Sequence, residues 1–456
     1  MLFTSFLTLL VFSTYNIPYV GHTIILNRLG LITIGFILIL LIITIDIIGL
    51  IPGITLYNNW FNITSNNIPL IILILILIII LLIYNTYINK YKIISPYFII
   101  IVLANLIGLI TLPMVNDLLV MYIIIELQSY SLYLLTGLHN RSFNASRASL
   151  LYFIMGGIAS TIILLASYFI YNLTGTTNLS DIIIINNYNN NEINNYFNIL
   201  LIALLFKMGL APLHRWSIAV YNYAPTYITA YISIVAKLSI ISWIYIHSYF
   251  FDNYILIIFI LISLIIGSYK PLYQINIKII LAYSGILNFS YILLSIVTYD
   301  LSLYIYLIQY SLTHIIIFLI LLSLGEYIDK PISKWSPIIY INQLKLPNLT
   351  LAICFILALF SLIGIPPLPG FYAKLFILSG ALLDNYIYES LLLILCSVIA
   401  TYYYANIIKI LFNSKTTTNI SINSSLAYSI AISTILMISF YIYLPYLSEG
   451  LYLITI

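Results

Sequence analysis

Apolar residues recur along this chain in runs close to the length of a bilayer-crossing helix. The runs lie at about 2–14, 29–52, 68–89, 96–112, 117–138, 148–172, 196–222, 226–248, 253–268, 276–297, 300–323, 347–381, 386–411 and 424–446. At roughly 20 residues per crossing they predict an all-α polytopic membrane protein with about fourteen transmembrane helices. The first and ninth runs are short. The seventh and twelfth are overlong and interrupted, one by Gly209 and Pro212, the other by Gly364-Ile365-Pro366-Pro367-Leu368-Pro369-Gly370. Helix-breaking residues inside a membrane run expose main-chain groups that need another partner, so segments 7 and 12 are expected to be broken helices.

The polar connections test this count through the bias of Lys and Arg towards one membrane face. Odd-numbered connections carry Arg28; Lys90 and Lys92; Arg141 and Arg147; Arg215; Lys270 and Lys278; Lys330, Lys334 and Lys345; Lys409 and Lys415. Even-numbered connections carry no Lys or Arg and hold Asp117, Asp181, Glu192, Asp252, Asp300, Asp384 and Glu389 instead, with Glu449 after the last segment. A wrong number of crossings would scramble that alternation. Both termini are therefore expected on the acidic face, with the basic face towards a matrix or cytoplasm. The broken segments are five apart, so segments 4–8 and 9–13 are expected to form two inverted five-helix bundles flanking a midplane site. The corresponding division is 1–95 for the first three helices, 96–250 and 251–415 for the bundles, and 416–456 for the last helix. The Asn-rich stretch 173–195 and the polar stretch 412–423 are expected to be plain loops.

Composition agrees: the chain is 63% hydrophobic and 6% charged over 456 residues, far from the quarter or so of charged residues usual in soluble domains. The net charge of +4 is small and spread along one face, which gives no reason to expect nucleic acid. Cys354 and Cys396 lie in apolar runs without CxxC spacing, so no disulfide framework, zinc site or iron–sulfur cluster is indicated. There is no strand-associated GxGxxG, Walker lysine or HExxH, and no cofactor is expected in this chain. The stretch Leu2 to Ser13 lacks a basic leader and reads as a first helix. Heavy use of Ile, Asn and Tyr fits an AT-rich genome such as an organellar one.

Chemistry is concentrated in the five charges that read as buried in the membrane rather than belonging to the connections: Asp46, Glu126, Lys207, Lys237 and Lys374. A lysine at bilayer depth costs about 2.5–3.5 kcal/mol even on a lenient scale, so several of them argue for use. Glu126 in the fifth segment needs a cation from another helix to stay charged, and Lys207 is the candidate. A static pair locking two helices is the plain alternative. Lys237 and Lys374 lack an acid in sequence and are expected to be neutral or hydrated, either of which suits a proton carrier. His214, at the break in the seventh segment, is a candidate bridge between Lys207 and Lys237, or a ring bonded to a freed carbonyl. His314 in the eleventh segment is a candidate relay towards Lys374. Asp46, His22, His139 and His247 read as interfacial. One charge moved through about 150–200 mV costs about 3.5–4.5 kcal/mol, the scale that a few lysine–glutamate pairings can supply.

Four stretches together resemble a known family. They are Asp117-Leu118-Leu119 with Glu126-Leu127-Gln128-Ser129; Phe206-Lys207 with Pro212-Leu213-His214-Arg215-Trp216 and Ala224-Pro225; Leu281-Ala282-Tyr283-Ser284-Gly285-Ile286; and Ser361-Leu362-Ile363-Gly364-Ile365-Pro366-Pro367-Leu368-Pro369-Gly370-Phe371 with Lys374. They resemble the antiporter-like membrane subunits of respiratory complex I, of fungal mitochondrial type, over nearly the whole chain. The resemblance implies a fourteen-helix, proton-translocating, non-redox subunit of the inner-membrane arm, with both termini on the intermembrane-space side. It implies other membrane-arm and accessory subunits and the bilayer, including cardiolipin, as partners. FMN, iron–sulfur clusters, NADH and ubiquinone would be used elsewhere in the complex. Carried over by motif, Glu126, Lys207, Lys237 and Lys374 are the path residues of helices 5, 7, 8 and 12. Where many relatives have a lysine before Tyr152-Phe153, this chain has Leu151, which removes a charge from that side of Glu126. The rival readings are a cation/proton antiporter subunit and a non-conducting scaffold or coupling subunit.

Overall fold

The structure is a computed structural model that describes residues 2–15, 32, 34–43, 53–88, 97–138, 142–186, 192–324, 338–344, 346, 348–412 and 424–455. Asp46, His22, His139, Arg28, Lys90, Lys92, Arg141, Lys330, Lys334, Lys345 and Lys415 lie outside the described residues.

The opening helices are α1 (Leu2–Tyr15) and α2 (Ile34–Ile43). A short hairpin follows, β1 (Ile54–Leu56) against β2 (Phe61–Ile63), with Thr55 opposite Asn62. Its turn runs through Tyr57, Asn58 and Asn59, all at positive φ, a conformation that asparagine tolerates better than most residues. The apolar pattern alone gave no sign of this hairpin. Then come α3 (Asn67–Ile88), α4 (Phe98–Thr111), α5 (Leu118–Gly137), α6 (Phe143–Thr174), α7 (Leu179–Asn186), α8 (Glu192–Met208), α9 (Arg215–Tyr223) and α10 (Thr226–Ile246). The rest is α11 (Asn253–Tyr269), α12 (Ile277–Val297), α13 (Ser302–Ser323), α14 (Leu349–Ile363), α15 (Pro369–Leu383), α16 (Ile387–Phe412) and α17 (Ser424–Thr455). Eight helices among the described residues are long and apolar enough to cross a membrane, and seven apolar helices are shorter. The protein is a mostly helical membrane protein.

Two stretches correct the sequence reading. The connection 173–195, expected to be a plain loop, contains α7, and its first residues complete a 32-residue α6 that stops at Gly175 with φ +71°. That left-handed position is where a helix ends most easily on glycine. Lys278, expected in a connection, lies inside α12 and is buried, because the apolar run that starts at Ile277 already forms helix there.

Local chemistry sets the ends that matter. Asp117 caps α5: its Oδ1 accepts from the amides of Leu119 (2.8 Å) and Val120 (3.1 Å), while Oδ2 accepts from the Thr177 hydroxyl (2.6 Å). Asp117 is buried, so these bonds satisfy main-chain donors that would otherwise be left without a partner at the helix start. Small residues let backbones close up, as at Gly267, where an added Cβ would lie 2.8 Å from the Leu287 amide nitrogen across the α11–α12 crossing.

The chain divides into two compact units. The first comprises Met1–Met208, Val235–Asp252 and Ile454–Ile456, the second Gly209–Ile234 and Asn253–Leu453. In the first, α5 packs on α4 and α6, and α6 on α8. In the second, α11 packs on α12 and α16, α13 on α14 and α15, and α9 on α12. The chain passes from one unit to the other at Gly209, within the interruption of the seventh apolar run, and again inside α10.

Candidate site at the interrupted helices

The run 196–222 is two helices. α8 ends at Met208, Gly209 takes φ +70°, and α9 begins only at Arg215. The six residues between them leave main-chain groups outside the helical ladder. Ser217 reaches one of these: its hydroxyl lies 3.3 Å from the Gly209 carbonyl, and 2.8 Å from the His214 carbonyl that already accepts the first amides of α9. A Cβ on Gly209 would overlap the Ser217 side chain, so glycine is required there by space as well as by φ. The run 347–381 is divided in the same way. α14 ends on Gly364 at φ +94°, with the amides of Gly364 and Ile365 both bonded to the Phe360 carbonyl. α15 restarts with Pro369 in its first turn, where a missing N–H removes nothing from the ladder.

Both breaks hold a lysine. Lys207 is in the last turn of α8, so this residue, which reads as mid-helix in sequence, stands at a helix end that the break creates. Its Nζ donates to Glu126 Oε1 on α5 at 3.1 Å, with side-chain exposures of 6% and 13%. This is the expected pairing. The ammonium also lies at the negative end of the α8 dipole, which favours a cation. Lys374, on α15, reaches back to the end of α14, where its Nζ donates to the carbonyls of Leu362 and Ile363, each at 2.9 Å. It lies 5.5 Å from the centre of the Tyr291 ring. Neutrality and hydration were the two states expected for this lysine. The structure adds a partner set to those states, two main-chain carbonyls that the break sets free.

The remaining sequence candidates are placed as follows. Lys237 is buried in the half of α10 that belongs to the first unit, with Glu126 and Lys207. His214, His314 and Lys374 belong to the second. The His214 Nδ1 lies 3.1 Å from the Pro212 carbonyl, the freed-carbonyl arrangement, and its ring is 6.0 Å from that of Tyr283. His314 is buried against Tyr310, with ring centres 4.2 Å apart, and near Phe318. Arg215 is exposed at the start of α9. Among the described residues no group of three or more His, Cys, Asp or Glu side chains is placed to hold a metal ion.

The surroundings of two further residues were not foreseen in the sequence reading. Lys278 donates to the Ala224 carbonyl at 2.8 Å, capping the end of α9 just before Pro225. Its signal was the apolar run from Ile277 onward, which places a residue at 278 in the first turn of the helix. His247, read as interfacial, directly follows the end of α10 and is buried among protein groups: its Nε2 donates to the Val115 carbonyl at 3.2 Å, a group that also receives Trp243 Nε1 at 3.3 Å.

A family model described as NADH:quinone oxidoreductase/Mrp antiporter, transmembrane, matches residues 115–402, the region that contains both breaks and all four charged candidates. The chain belongs to this family. Full-length relatives agree: it is 59% identical to the NADH-ubiquinone oxidoreductase chain 2 of Debaryomyces hansenii, with all of both chains covered. It is 51% identical to the chain of the same name from Candida albicans, covering 100% of this chain and 96% of the relative. Solved structures share the fold of this antiporter-like family. One chain of an archaeal membrane-bound sulfane sulfur reductase superposes with TM-score 0.84 at 19% identity, covering 100% of this chain and 94% of that one. A chain of Thermus thermophilus respiratory complex I gives 0.74 at 20% identity, with coverage of 92% and 96%.

Proposed function

We propose that this chain is a proton-translocating, non-redox subunit in the membrane arm of mitochondrial NADH:ubiquinone oxidoreductase. The names of its yeast relatives supply the assembly. The observation that carries the mechanism is the Glu126–Lys207 contact, a charge pair nearly withdrawn from solvent beside a helix interruption. Such a pair is stable only while both partners are charged, and losing either charge leaves the other exposed to the desolvation cost. Quinone reduction elsewhere in the complex shifts this pairing. When Glu126 is neutralised, the Lys207 ammonium loses its counter-charge and gives up its proton, through water, to Lys237. Lys374 is the releasing group on the acidic face, and His214 and His314 are the further carriers.

The same reading takes the chain as fourteen crossings with both termini in the intermembrane space. It takes 96–250 and 251–415 as inverted bundles, between the helices of 1–95 and 416–456. Its partners are other membrane-arm and accessory subunits and the lipids of the inner membrane, cardiolipin included. FMN, iron–sulfur clusters, NADH and ubiquinone are handled by other chains.

The test is Lys207→Met or Glu126→Gln in assembled complex. Each is expected to keep NADH oxidation by an artificial acceptor and to lower the protons moved per NADH. Parental stoichiometry in complex that has assembled would refute the assignment. One observation favours a second reading, that of a non-conducting coupling subunit: Lys374 is anchored by two main-chain carbonyls, as a structural cap would be. On that reading Lys374→Met weakens assembly and leaves proton stoichiometry untouched.

A further inference from the structure

Glu126 lies two residues before Gln128 on α5, so the two side chains leave the helix in different directions. One meets Lys207, and the other crosses to α10. Gln128 is buried, and its Nε2 donates to the Ala236 carbonyl at 3.1 Å and to the Ser239 hydroxyl at 3.0 Å. The Ser239 hydroxyl in turn lies 3.2 Å from Gln128 Oε1. Ala236 is the residue immediately before Lys237.

The other side of Gln128 is equally fixed. Asn105 of α4, fully buried, donates through Nδ2 to the Gln128 carbonyl at 2.9 Å and to the Ser131 hydroxyl at 2.7 Å, and Ser131 donates to that same Gln128 carbonyl at 2.7 Å. Gly108 lets α4 approach closely enough for this, since a Cβ there would lie 3.0 Å from the Gln128 Cβ. All of these residues belong to the first unit. The result is a hydrogen-bonded strut across three helices, α4 to α5 to α10. It joins α5 two residues after the path glutamate and α10 one residue before the path lysine.

We propose that Gln128 is a positioning residue for proton transfer, its carboxamide holding Lys237 at a set height on α10 against α5, the helix whose Glu126 is paired with Lys207 of α8. This rests on the proton-translocating reading above. Gln128 does not exchange the proton itself. It acts by fixing the gap that the proton crosses, and displacements of about 1 Å can change the rate of such a step by around 100-fold. The bland alternative is simple helix adhesion, for which a polar contact between membrane helices contributes about 0.6–2 kcal/mol and nothing to transport.

The experiment compares Gln128→Met, Ser239→Ala and Glu126→Gln in assembled, membrane-embedded complex. It reads NADH:ubiquinone turnover, protons moved per NADH, the pH profile of turnover and NADH oxidation by an artificial acceptor. Gln128→Met keeps the side-chain length and removes every polar atom. It is expected to lower coupled turnover about tenfold or more and to alter its pH profile, with the artificial-acceptor rate at the parental level. Ser239→Ala removes one partner and is expected to show the same change at smaller amplitude, which keeps the test open if Gln128→Met does not assemble. Parental turnover and pH profile in Gln128→Met, or in Ser239→Ala when only that variant assembles, overturn the inference, even if thermal stability falls. Glu126→Gln separates the two levels. If it abolishes pumping while Gln128→Met behaves as parent, only the positioning role fails. If Glu126→Gln pumps normally, the function itself has failed.

Discussion

The two interruptions of this chain use one local device and reach different electrostatic ends. At each, a glycine at positive φ stops a helix, prolines delay the restart, and a lysine amine collects at the negative end of the first half-helix. At the α8 break the lysine is matched by a carboxylate from another helix. At the α14 break it is matched by two carbonyls of the chain's own backbone. A carboxylate can be neutralised by one proton and a peptide carbonyl cannot, so only the first arrangement can be switched by protonating the partner. The second bonds its lysine to backbone groups that do not titrate. What differs between them is the partner and not the break.

The largest effects are expected where that difference is attacked directly. Glu126→Gln leaves the Lys207 ammonium facing a neutral amide, and Lys207→Met strands the carboxylate. Either is expected to remove most proton movement per NADH in assembled complex. Lys374→Met leaves only the Leu362 and Ile363 carbonyls unsatisfied. It is expected to lower both proton movement and thermal stability, and pumping that equals the parent would separate the two breaks completely.

Next in size come substitutions that alter the breaks without touching a charge. Gly209→Ala places a Cβ against Ser217 at φ +70°, and Gly370→Ala places one against the Ser361 carbonyl. Strain and overpacking together are expected to cost about 2–4 kcal/mol at Gly209, and steric overlap alone about 1–3 kcal/mol at Gly370, read as a lower denaturation midpoint of the complex. Gly175→Ala, at φ +71° but with open space around it, is the control and is expected to cost only about 1–2 kcal/mol. Should it match Gly209→Ala, packing at the break contributes little.

The smallest effect concerns Asp300, in the connection between α12 and α13. Burial, with the like charge of Asp384 adding to it, holds its carboxyl above the usual carboxylate range. The folded state therefore binds this proton more tightly than the unfolded chain. The stability it contributes is complete below the unfolded value of about 3.8 and is lost as pH rises through the folded one. Asp300→Asn is expected to remove that dependence and to raise the thermal midpoint slightly at neutral pH. A fall there would show that the ionised carboxylate has a partner worth keeping.

Much of this was legible from residue order. Glu126 and Lys207 could be paired in advance because a lone charge of either sign at bilayer depth is costly, and each was the nearest remedy for the other. The breaks could be placed because Gly209 with Pro212, and the Gly364–Gly370 stretch, cannot continue a helix. Lys374 was harder. Its partners are backbone carbonyls, which every residue has, so nothing in the side-chain sequence marks Leu362 and Ile363 as acceptors. Lys278 was misplaced because, eight residues after Lys270, it looks like the far end of one basic connection. The partners of His247 were not legible because a position near a segment end says nothing of what packs over it. Gln128 passed as one polar residue in a motif, since its role depends on α10, more than a hundred residues away.

The sequence by itself determined a membrane protein of many helices, two of its apolar runs broken, with one acid and three lysines kept where charge is expensive. Those conclusions follow from solvation, which acts residue by residue. Only the tertiary structure decided which group each lysine meets and which helices the buried amides tie together. Hydrogen bonds are satisfied across space, and main-chain carbonyls become available only once the fold has interrupted a helix.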